Sequence, residues 1–156
     1  MLQKMCLLLL LIVSMLGIIT DDDASAGRDE MIDLEDYRWK NRIILVFAPS
    51  AAHHGYRFLN REIQTQRAEI IDRDLRIFHI LEEGESRLEE SSLDTGSVDS
   101  LRDRFSPHRG QLTVVLIGKD GGEKLRQVDW VNLEEIFALI DTMPMRKEEM
   151  RNRGQD

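Results

Sequence analysis

At 156 residues the chain is long enough for one domain and too short for two, and a 42% share of hydrophobic residues supplies a core and excludes wholesale disorder. The formal net charge of −8 makes a surface that repels phosphate backbones, which excludes nucleic acid as a partner. The chain holds a single cysteine, Cys6.

Lys4, the apolar run 5–19 and the small residues Ala24-Ser25-Ala26 are arranged as an export leader. The pattern predicts a signal peptide over 1–26, cut before Gly27. The run is shorter than the roughly 20 residues a spanning helix needs, so no stable membrane span is expected after cleavage. Cys6 sits inside the run and leaves with it. The mature chain would then have neither a disulfide nor a thiol nucleophile, and its stability would come from the core alone.

Residues 27–36 read as a polar, acidic lead-in. In Tyr37-Arg38-Trp39-Lys40, Trp39 reads either as a plug at the sheet's edge or as an aromatic that contacts a partner. Ile43 to Phe47 is a short continuous apolar run, the signature of a central strand buried on both faces, with Pro49 as its end. A helix is expected from Gly55 or Tyr56, with Tyr56, Leu59, Ile63 and Ile70 on its inner face and Arg57, Arg61, Gln64 and Glu69 turned away. Leu75 to Ile80 is a second strand, and strand, helix, strand at this spacing predicts a parallel pair.

Residues 82–99, rich in Glu, Ser and Gly, read as a solvated loop. Ser97 is the expected cap of a short helix that holds Leu101 and Phe105 and stops at Pro107. Leu112 to Ile117 is the clearest strand. The turn Gly118-Lys119-Asp120-Gly121-Gly122 returns it to a hairpin partner, Glu123 to Val128. Asn132 caps a last helix, with Glu135 in the capping-box position. Residues 146–156 read as a loose charged tail. The order is strand-helix-strand, short helix, strand-strand-helix. It predicts an α/β, thioredoxin-like domain over 37–145, a mixed central sheet with helices on both faces.

Tyr37-Arg38-Trp39-Lys40-Asn41-Arg42, the strand ending Phe47-Ala48-Pro49-Ser50, the pair Arg73-Asp74, the segment 116–121 and Ile140-Asp141-Thr142-Met143-Pro144-Met145-Arg146 together resemble one family. It is a peroxiredoxin-like domain of small exported bacterial proteins, found also in animal extracellular proteins that carry sushi repeats and in a coiled-coil-named matrix protein. The resemblance runs from about Tyr37 to Met150. It implies a thioredoxin-like fold and export, and in the animal members matrix and adhesion roles. It implies no catalytic residue.

Thiol peroxidase or oxidoreductase chemistry needs a cysteine where the first strand runs into its helix, so that amide dipoles lower its pKa. Ser50, Ala51, Ala52, His53 and His54 stand there instead, and serine has no sulfenate or disulfide state. No proline precedes the third strand, where redox members of the fold carry a cis-proline; Gly110-Gln111-Leu112 occupies that approach. Adjacent His53 and His54 point apart in any regular structure and lack partners at ligand spacing, so no metal and no cofactor is expected. Met143, Met145 and Met150 read as packing rather than as soft ligands. His79 reads as a strand residue with a satisfied ring, His108 as a loop residue, and Ser50 as a helix cap.

The expected function is therefore a binding or adaptor module of the cell envelope, periplasmic or else secreted. Ser50, His53, His54 and Arg57 are its candidate contacts, because ligands of open α/β sheets bind beyond the carboxyl ends of strands. Its expected partner is an envelope or extracellular protein or a small ligand. A non-thiol envelope enzyme, linked to oxidative stress by descent, is the alternative reading.

Overall fold

A computed structural model describes residues 32–154. The expected signal peptide, and with it Cys6, lies outside the described residues. Strand β1 (Arg42–Ser50) is the centre of a six-stranded sheet of order β4-β3-β2-β1-β5-β6. It pairs in parallel with β2 (Leu75–Glu83), Leu45 opposite Phe78, and antiparallel with β5 (Thr113–Ile117), Leu45 opposite Val115. A strand with neighbours on both edges and packed layers on both faces must be apolar throughout, which is why the run at 43–47 lacks polar alternation.

Successive side chains point to opposite faces, and this parity divides the core in two. Ile44, Val46, Ala48, Ile77, Leu81, Val114 and Leu116 face one side. There α1 (His54–Thr65), α2 (Arg67–Asp72) and α4 (Leu133–Thr142) cover them with Tyr56, Leu59, Ile63, Ile70, Ile136 and Ile140. Ile43, Leu45, Phe47, Phe78, Ile80, Val115 and Ile117 face the other side, under Leu34 and under Leu101 and Phe105 of α3 (Thr95–Phe105). The expected mixed sheet with helices on both faces is the observed fold.

The differences are local and have physical reasons. Pro49 lies within β1 rather than ending it. The β5 ladder stops at Phe47, so beyond it one edge of β1 carries no described partner and tolerates a residue without an amide proton. The helix over 54–72 breaks at Gln66, which places Ile70 on α2 rather than on α1. The segment over 82–99 is no plain loop. It forms β3 (Arg87–Leu88) and β4 (Ser91–Ser92), a small antiparallel extension of β2, and buries Leu88 and Leu93. Asp94, not Ser97, caps α3 by accepting from the Ser97 amide at 3.0 Å. Ser97 is buried and its Oγ accepts from the Ile32 amide at 2.8 Å.

Part of the polar lead-in is ordered as well. Leu34–Tyr37 is a 3-10 helix whose Leu34 is buried in the second core. Asn132 caps α4 as expected, with Oδ1 3.0 and 3.2 Å from the amides of Glu134 and Glu135. The reciprocal half of the capping box differs, because Glu135 contacts the Asn132 carboxamide while Gln127 takes the Asn132 amide. The hairpin over 118–122 closes through Gly121, whose φ of 82° favours glycine, and β6 (Glu123–Val128) follows it. The tail read as loose is helix α5 (Pro144–Arg153). Pro144 fits its first turn, where an amide proton has no partner to lose.

Candidate functional site

The loop between β1 and α1 lies at the carboxyl ends of the two central parallel strands. Ser50 closes β1 opposite Glu83 of β2 and is not the helix cap. That role falls to His53, whose Nδ1 accepts from the Tyr56 amide at 3.4 Å, while its own amide donates to the Ser50 carbonyl at 3.1 Å. An imidazole committed to the helix end is poorly placed as a base for the serine. His54 begins α1 and is exposed. The two histidines thus diverge, as the sequence indicates. Among the described residues no group of three or more His, Cys, Asp or Glu side chains is placed to hold a metal.

Behind the loop, Tyr56 reaches into the sheet. Its hydroxyl and His79 Nδ1 lie 3.1 Å apart, with the rings edge-on at 85°. His79 is 3% exposed. Burial, reinforced by the charge of Arg87, pushes its pKa down to about 4, so the ring is neutral near pH 7.

An open cleft of about 490 Å³ lies between α1 and the ends of β2 and β3. Tyr56, Arg57, Asn60, Arg61, Glu85 and Arg87 contribute to its walls. Arg57 was expected here. The sequence marks Arg61 only as an outward helix residue and does not distinguish Arg87. Arg57 and Arg61 share a helix face at i,i+4 spacing, and no described residue forms an ion pair or hydrogen bond with either guanidinium. Arg87 donates from Nη1 to the Glu89 carbonyl at 2.7 Å. Glu85, at the rim, accepts from the Ser92 hydroxyl. The buried Asn60 Oδ1 has no hydrogen-bond partner among the described residues. Sequence spacing alone could have paired Arg57 with Arg61, whereas Arg87 comes to the cleft only through the β2–β3 pairing.

The opposite end of the sheet is also charged, but there the charges are matched. Arg42, 1% exposed, donates to Glu149 through both terminal nitrogens at 3.0 and 3.1 Å. Lys119 Nζ lies 2.8 Å from both Asp74 and Glu149. Arg73 bridges Glu69 and Asp141, and Arg146 bridges Asp141 and Asp72. Burial raises the pKa of Asp141 and Glu149, but hydrogen bonds from Arg73 and Arg146 to Asp141, and from Arg42 and Lys119 to Glu149, outweigh it and hold both below the ordinary carboxylate value. Arg42, Arg73, Asp74, Lys119, Asp141 and Arg146 of this network are among the residues that carry the family resemblance, and the pairs made by Arg146 and Glu149 fasten α5 to the rest of the fold. Their chemistry is structural.

Two tryptophans lie on the surface. Trp39 is 60% exposed, has φ 63° and is no edge plug; the Arg38 guanidinium lies 5.4 Å from its ring. Trp130, at 78%, is more exposed still, and nothing in the sequence distinguished it. No helix among the described residues is long and apolar enough to cross a membrane.

The chain is similar to "Sushi repeat-containing protein SRPX2" of Rattus norvegicus, 27% identical over 128 residues, which is 78% of this chain and 27% of the rat protein. It is also similar to "Coiled-coil domain-containing protein 80" of Danio rerio, 29% identical over 147 residues, covering 84% of this chain and 16% of that protein. It therefore spans about a quarter or less of the length of these relatives. Among solved structures, the reduced 2-Cys peroxiredoxin of Plasmodium vivax superposes with a TM-score of 0.58 at 12% identity, over 75% of this chain and 85% of that one. This likeness is one of fold, and the described residues contain no cysteine. The family model described as "Domain of unknown function (DUF4174)" matches residues 33–149, and the chain belongs to that family.

Proposed function

We propose that this protein is an exported binding or adaptor module, periplasmic or secreted, that uses a peroxiredoxin-like scaffold without its thiol chemistry. The observation that carries the reading is the pair Arg57 and Arg61, unpaired beside an open cleft at the carboxyl ends of β1 and β2. Many charged side chains elsewhere in the fold are cross-paired, and what distinguishes Arg57 and Arg61 is that two free guanidinium groups stand together at the carboxyl ends of the parallel strands, where an incoming partner can meet them. The leader pattern supports export. Of the loop candidates, Arg57 lines the cleft, while Ser50, His53 and His54 lie on the segment that leads from β1 into α1, with His53 holding the helix end rather than meeting the partner.

In-cell photocrosslinking tests this reading. A photoreactive residue at His54 should capture one defined partner, and the same residue at Lys147 on α5 should capture none. Equal capture at both positions would move the interface away from the cleft. Capture at neither would remove the adaptor role.

A further inference from the structure

The cleft's chemistry narrows what it binds. Arg57 and Arg61 lie one turn apart on α1, with Cα atoms separated by about 6 Å along the axis. In an extended peptide, residues i and i+2 point the same way and are about 6.6 Å apart. Two guanidinium groups at that spacing match carboxylates on alternate residues of an extended strand, each offering a charge-assisted hydrogen bond. Arg87 adds a third positive group to the same cleft. Asn60, one residue before Arg61, lines the same cleft as the arginines. Ala51 and Leu81 provide an apolar stretch for the methylenes of a glutamate.

The surroundings select against other anions. The chain carries a formal charge of −8, and Glu85 stands at the rim. A long polyanion laid across this surface meets net repulsion beyond the local cluster. An open trench also leaves a small molecule largely in water, whereas small-ligand sites enclose most of their ligand. A short acidic segment of a protein partner satisfies both limits.

We infer that the cleft formed by Arg57, Asn60, Arg61 and Arg87 binds an extended acidic peptide segment with carboxylates on alternate residues. This rests on the binding-module reading and specifies its ligand. The test is a titration of the purified protein followed by amide NMR, with acetyl-Glu-Ser-Glu-Ser-Glu-amide as probe and its Gln-for-Glu counterpart as control. The acidic peptide should shift the resonances of Arg57, Asn60, Arg61 and Arg87 saturably, and the neutral peptide should not. Arg57→Gln/Arg61→Gln should weaken binding by about tenfold or more, with unchanged thermal melting because both side chains are exposed. Arg67→Gln, on the neighbouring helix and also exposed, should leave binding unchanged.

Four results would overturn the inference: no shifts at millimolar peptide, equal shifts with the neutral peptide, equal loss in Arg67→Gln, or succinate binding the same residues as tightly as the peptide. If the peptide fails while the His54 crosslink persists, the acidic ligand is wrong and the binding module stands. If both fail, both are wrong.

Discussion

His79 shows how one buried side chain sets a pH response. Its ring is 3% exposed, and burial with the nearby Arg87 charge takes its pKa from 6.5 down to about 4. The folded state therefore binds fewer protons than the unfolded state between those values. Stability is fully present above pH 6.5 and is lost as pH falls towards 4, by on the order of 3 kcal/mol. Denaturant unfolding from pH 7 to pH 4 should show this slope, and His79→Gln, which keeps an acceptor for the Tyr56 hydroxyl, should flatten it. A slope unchanged in the variant would assign the effect to other groups. The depressed carboxylates Asp141 and Glu149 act in a separate window. Their stabilisation is present above their unfolded values of 3.8 and 4.5 and falls away as pH drops below them.

At the scale of elements, α5 is held by charge more than by apolar contact. Its buried residue is Arg146, and Glu149 neutralises Arg42 and Lys119 beneath it. Removing one partner from a desolvated pair costs more than the pair itself contributes, because the remaining charge stays buried. Glu149→Gln should therefore destabilise the fold by roughly 2 kcal/mol, a value reduced for the partial exposure of Glu149. Lys147→Ala on the outer face of the same helix should change stability by no more than about 0.5 kcal/mol. Thermal and denaturant melting of the two variants decide the matter, and equal small effects would make α5 a passive appendage. The sequence announced this helix poorly. Its apolar content is low, and its inward face is polar, so no hydrophobic period marks it. The motif residues that anchor it were legible as a signature, but not as a cluster.

For the molecule as a whole, the decisive chemical fact is where cysteine is missing. The described fold contains none, and the loop that would carry the reactive thiol in a thiol peroxidase holds Ser50, Ala51 and Ala52. Peroxide consumption by the purified protein should equal the buffer blank, and Cys6→Ser should not alter it. Turnover above the blank that is lost in a loop variant would restore an enzymatic role.

The sheet core, the parallel β1–β2 pair, the β5–β6 hairpin and the family resemblance were all readable from the chain. Strands buried on both faces are continuous apolar runs, and turns carry their glycines. The presence of α1 was readable in the same way, since Tyr56, Leu59 and Ile63 repeat at helical spacing, as was that of α4 through Leu133, Ile136, Phe137 and Ile140. What remained for tertiary structure were the features that depend on pairing across distance. The β3–β4 extension is too short to show a period, and α5 is ordered by partners on four other segments. The cleft joins Arg57 and Arg61, neighbours by helical spacing, to Arg87, which only strand pairing brings near. Local periodicity fixes which residues are inside, because burial repeats with the geometry of helix and strand. Which charges meet is decided by how the elements stack, and that information is spread over the whole chain.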